Sequence, residues 1–174
     1  MKKGLGVFTA VVVVGLLAIG AVYRATNHTA SATPLSARAP SGKTMSQARF
    51  AQAGVHLCLS LRAELLWLEH NKPTKLRQLP GYIARVTSVF DGLTTKVLAL
   101  DPPPPVPASW GRLRRNLPRA DRVMHHLNHL TATHQWRLVY LFVHSSEWKN
   151  AFKRLGGHAV KPQDMHCDRA SFTA

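Results

Sequence analysis

Residues Gly4 to Tyr23 read GLGVFTAVVVVGLLAIGAVY, without a charge, directly behind Lys2 and Lys3. A helix needs about 20 mostly apolar residues to cross the ~30 Å hydrocarbon core of a bilayer, and this run meets that length. It suits an ordinary core helix poorly, because such a helix keeps a polar face toward water. It also exceeds the ~7–15-residue core of a cleaved secretory signal. Of the two small-x-small sites, Ala18-Ile19-Gly20 would cut inside the run and Ala30-Ser31-Ala32 lies well past it. The expectation is an uncleaved signal anchor over residues 1–23, with a secreted product as the alternative if the run is removed. Lys2 and Lys3 favour a cytoplasmic N-terminus, against a weaker opposing charge at Arg24. The rest of the chain is then expected outside the cytoplasm, in a periplasmic or extracellular position.

Residues 24–45 are dominated by Ala, Ser, Thr and Pro and almost lack large apolar side chains. A segment of that kind cannot bury enough surface to offset its ordering entropy, so a disordered stalk is expected. One small helical domain is expected over 46–168, with a tail over 169–174.

The chain carries 23 Lys and Arg against 8 Asp and Glu, a formal charge of +15. Setting aside Lys2 and Lys3 leaves about +13 beyond the apolar run. Such an excess implies attraction to polyanions, namely anionic lipid headgroups, anionic wall polymers or nucleic acid, and the expected partners are the membrane, anionic lipid, a wall polymer or another envelope protein. Nucleic acid is not indicated, since no basic–aromatic motif of a known binding module is present.

Three segments carry helical periodicity. From Ser46 to His70, Ala48, Ala51, Val55, Cys58 or Leu59, Arg62, Leu65 or Leu66 and Glu69 mark successive turns, and Asn71-Lys72-Pro73 ends the pattern. Ile83, Val86, Phe90, Leu93, Val97 and Leu100 repeat at steps of three and four, which predicts a second helix. Asp91-Gly92 offers a rival reading of 82–100 as a β-hairpin, although that would mix polar and apolar residues on one face. Pro102 to Pro105 and Pro107 must stop the second helix and connect it to an antiparallel third.

The third helix is predicted from an N-cap at Ser109 to about Thr133, with a core stripe of Leu113, Leu117, Ala120, Met124, Leu127 and Thr131. Pro118 should kink it or mark its true start. A fourth helix is expected from Gln135 to Leu155. Two other readings of that segment exist: a strand over Trp136–Val143, and a separate short helix capped by Ser145-Ser146. The fold class is therefore all-α, a transmembrane helix plus a four-helix-bundle-like extracytoplasmic domain. An α+β domain is the alternative.

Cys58 and Cys167 are the only cysteines. In an exported domain a pair is most simply a disulfide. Cys58 in the first helix, the Leu98-Ala99-Leu100-Asp101-Pro102-Pro103 connection and the Leu155-Gly156…Cys167 ending together resemble a broad class of uncharacterised exported or membrane-anchored bacterial helical-bundle proteins. The resemblance covers about residues 46–168. It implies the same Cys58–Cys167 bridge and nothing about activity.

Two clusters are candidates for binding. Arg112, Arg114, Arg115, Arg119 and Arg122 crowd the third helix and point to anionic lipid or another polyanion. His125 and His129 stand one turn apart, as two imidazoles on one Zn, Cu or Ni ion would need, although a settled site takes three or four ligands. A glutamate between them would signal a metalloprotease, and none is there. Glycine-rich phosphate loops and nucleophile elbows are missing from the sequence, and Glu64 and Glu69 sit five apart, a poor spacing for a carboxylate pair. The function expected is a non-enzymatic, membrane-anchored accessory or binding protein of the cell envelope. The alternatives are an exported metal-binding protein and an α+β component of a secretion or pilus assembly.

Overall fold

A computed structural model describes residues 45–104, 106, 108–155, 162–168 and 172. Among them are five helices and no strand: α1 (Gln47–His70), α2 (Leu79–Ala99), α3 (Ala108–Ala132), α4 (Trp136–Val143) and α5 (Ser146–Lys153). Short 3-10 turns occupy Leu76–Gln78 and Pro162–Asp164. The apolar run 4–23 and the stalk, up to residue 44, lie outside the described residues. Among the described residues no helix is long and apolar enough to cross a membrane.

α1 begins where the Ser46 hydroxyl accepts from the Arg49 N–H, and ends where the Asn71 backbone N–H donates to the Trp67 carbonyl. Both contacts satisfy groups that a helix end leaves without partners. Its buried face is Phe50, Ala51, Gly54, Leu57, Cys58, Leu61, Leu65 and Leu68. This differs from the expected stripe. Ala48 is exposed, Arg62 and Glu69 are only half-buried, and Leu57, Leu61 and Leu68 take the core positions. Several leucines and alanines compete around this helix, so its partners chose the face.

In the connection to α2, Gln78 Oε1 accepts from the backbone N–H groups of Thr74 and Lys75, both at 3.0 Å. Pro80 follows in the first turn of α2, where a missing N–H costs nothing. The seam of α2 is as expected, with Ile83, Val86, Phe90, Leu93 and Val97 all buried. The hairpin over 82–100 is overturned, because the helix runs uninterrupted through Asp91-Gly92. It sorts apolar from polar side chains, which the hairpin could not do. Leu100 is the exception: it is half-buried and extended, ahead of the prolines.

α3 packs against α2 in antiparallel fashion. Leu98 meets Arg114, Asp91 meets His125 and the Thr87 hydroxyl reaches the Met124 carbonyl. All six expected core residues of α3 are buried. Pro118 lies inside the helix rather than at its start, and Ser109 is already helical rather than a cap. An interior proline costs a helix ~3 kcal/mol, so the burial of Leu113 and Leu117 beside it must more than offset that.

α3 closes on a residue in the left-handed region, His134 at φ 57°. Its N–H donates to Thr131 O while Gln135 N–H donates to Leu130 O. This pair of bonds is a Schellman cap, normally built on glycine. The single fourth helix is replaced by two, and the strand reading of Trp136–Val143 falls with it. Ser145 accepts from the Trp148 N–H and so starts α5 afresh. The break lets Val139, Phe142 and Val143 face the core from α4 while Trp148, Ala151 and Phe152 face it from α5. One straight helix could not aim both sets.

Cys58 and Cys167 form a disulfide, with Cα atoms 5.5 Å apart. The tail it holds is part of the core. Met165 and Phe172 are buried, and Gln47 donates to the Phe172 carbonyl. Phe172 lies so close to α1 that a Cβ on Gly54 would collide with its ring. Phe172 is therefore packed in the core.

Candidate functional site

α3 builds the most distinctive surface. Arg112, Arg115, Arg119, Arg122, His126 and His129 follow one another at steps of three and four, which puts them on one face of a helix. All are exposed except the half-buried Arg119. At 1.5 Å per residue the stripe is about 26 Å long. The only acid of α3, Asp121, points elsewhere, toward α2. Arg114 also leaves the stripe. Its guanidinium donates to the Leu98 carbonyl at 3.1 Å, satisfying one of the last carbonyls of α2 and meeting that helix's negative end.

The stripe borders α4, where the His126 ring lies 4.5 Å from Phe142. Asn116 ties it to α5 by donating to the Arg154 carbonyl at 3.2 Å. The expected arginines are thus gathered, except Arg114, and two histidines join them.

His125 is drawn the other way. Its Nε2 lies 2.7 Å from Asp91 Oδ1 on α2, and ligand atoms of Asp91, Asp121 and His125 all fall within 4.8 Å of one another. His129 belongs to the stripe instead. Three convergent donors can share a proton or hold a transition-metal ion, one short of the usual tetrahedral set. Cys167 is in the disulfide and has no thiolate to offer.

Asp121 carries an electrostatic penalty. Burial first, and the Asp91 carboxylate second, push it up to about 6, against weaker opposing pulls from His125 and Arg122. Its Oδ1 is buried without a hydrogen-bond partner. The folded state holds this proton more tightly than the unfolded chain, whose ordinary value is 3.8. Stability from this group is therefore lost as pH rises between about 4 and 6, and the cost stays in place above that. Replacing Asp121 with Asn should stabilise the protein at pH 7 by about 1 kcal/mol, a figure reduced for solvent screening at a partly open site. The gain should vanish near pH 4. Urea midpoints at both pH values test this, and an equal effect at both would refute it.

A third feature is the groove between α1 and α2, of about 200 Å³, lined by Leu57, Leu61, Glu64, Arg85 and Lys96 among others. It is smaller than the ~300–1,000 Å³ of typical small-molecule sites. Arg85 closes one side, paired with Glu64 at 2.6 Å and lying 5.5 Å from the Trp67 ring centre. Elsewhere between α1 and α2 the buried Tyr82 hydroxyl donates to Leu68 O, and burial pushes the phenol up to about 12, so it stays neutral.

No family model, curated protein or solved structure matches this chain. Its function has to be argued from the side chains themselves.

Proposed function

We propose that this is a membrane-anchored accessory protein of the cell envelope, whose extracytoplasmic helical domain binds polyanions through α3. The observation that carries this reading is the outward stripe of Arg112, Arg115, Arg119 and Arg122, continued by His126 and His129. Four guanidinium groups along one helix face match a repeating anionic surface better than a single small anion, because each phosphate or carboxylate meets its own fork of donors. The apolar run 4–23 supports the anchored location, and the disulfide suits an oxidising compartment.

The test is binding of the full-length protein, in neutral detergent, to polyphosphate at low salt. Changing Arg115, Arg119 and Arg122 together to Gln removes three charges at roughly 1 kcal/mol each, so binding should weaken by on the order of a hundredfold. Helical content should not change. Undiminished binding would discard the stripe as the binding surface.

A second reading is a divalent transition metal held by Asp91, Asp121 and His125, favoured by the convergence of their donor atoms. Calorimetric titration with zinc should then show one site that Asp121→Asn removes. Zinc binding that survives the substitution would refute it.

A further inference from the structure

We infer that the outward face of α4, together with the α3 stripe beside it, seats the domain on an anionic lipid bilayer. This rests on the anchored reading above and names the polyanion that α3 meets.

α4 is short and apolar on both sides. Its inner face, Val139, Phe142 and Val143, is buried. Its outer face carries Leu138 at 47 % exposure, Tyr140 at 55 % and Leu141 at 54 %. Three of the eight large apolar side chains most open to solvent among the described residues therefore fall within four consecutive positions. Isolated exposed leucines are ordinary, but a cluster on one helix marks an interaction surface. Arg137 is exposed between them, and Tyr140 packs its ring 4.3 Å from His144.

Two observations select lipid as the occupant. One is charge. The inner face of α4 packs on the histidine end of the α3 stripe through the His126–Phe142 contact, and Arg137 stands within its exposed face. Leucine and tyrosine flanked by arginine is the composition of a helix lying in the headgroup layer, where apolar side chains enter the acyl boundary and cations meet the phosphates. The other is tether length. Only residues 24–44 separate the apolar run from the described domain. At the dimensions of the flexible stalk that their composition predicts, they span about 25 Å on average, which keeps the domain close to the bilayer that holds the run. At that distance a weakly apolar patch needs little affinity of its own, because its effective concentration at the surface is high.

The experiment places a photo-crosslinking phenylalanine analogue at Leu141, or at the exposed Thr95 of α2 as control, in the full chain reconstituted into vesicles about one-third phosphatidylglycerol. Leu141 should give lipid adducts roughly tenfold more often than Thr95, and the yield should fall in high salt or in neutral phosphatidylcholine vesicles. Equal yields at both positions, no lipid adduct at Leu141, or crosslinked dimers in its place would each overturn the proposal. Carbonate extraction of the same vesicles tests the anchor separately. Release of the chain would mean that the anchored reading has failed. Retention without adducts would mean that only the α4 proposal has failed.

Discussion

Replacing Cys58 and Cys167 with serine is expected to lower the stability of the folded domain by about 4–5 kcal/mol in the chain-entropy model. The figure follows from the 109 residues that separate the two cysteines, a loop that the bridge closes in the unfolded chain. A domain of this size has only ~5–15 kcal/mol in total, so the loss is a large fraction of it. The native state amplifies the effect. Cys58 is fully buried on α1, and the segment held by Cys167 brings Met165 and Phe172 into the core. Without the bridge, that segment must dock on α1 by packing alone. Guanidinium unfolding of the double variant, and of the wild type with and without reductant, measures the loss. A shift below about 1 kcal/mol would mean that the bridge does not restrict the unfolded chain as the chain-entropy model requires, and would overturn this prediction.

Phe90→Ala should cost about 3–5 kcal/mol, the range for emptying a buried aromatic site. Phe90 is fully buried at the centre of the α2 seam, and its ring meets Phe152 of α5 edge-on at 5.8 Å. Truncation therefore opens a cavity on the core face of α2 and removes the ring contact between α2 and α5. The exposed Thr95→Ala on the same helix should stay within about 0.5 kcal/mol. Denaturant midpoints with unchanged m-values are the readout. A small effect at Phe90 would contradict the heptad seam as the centre of the core.

α2 and α3 were legible in the sequence because their evidence is local. Apolar residues at steps of three and four, a proline barrier at 102–105 and a histidine-rich third helix need no partner to be recognised. The disulfide was legible for another reason, since two cysteines in a chain expected to be exported leave one pairing. The arginines of α3 could be placed on one face from their spacing alone, apart from Arg114.

The cluster of Asp91, Asp121 and His125 was not read from the sequence, although a signal for it existed. Folding the chain about Val106 brings 98 opposite 114, 91 opposite 121 and 87 opposite 125, within one residue of the observed contacts. Periodicity says which face a residue is on, but only the register between two helices says what it meets.

What the sequence by itself determined is the all-helical class of the described domain, the seams of α2 and α3, and the basic character of the α3 surface. Each of these follows from side-chain spacing within one segment. Tertiary structure alone decided the face that α1 buries, the choice of the Ser145 break over one continuous fourth helix, the diversion of Arg114 to the end of α2, and the burial of Phe172 against Gly54. Each of those depends on how closely two separate segments approach, which is set by side-chain packing between elements and by the Cys58–Cys167 link.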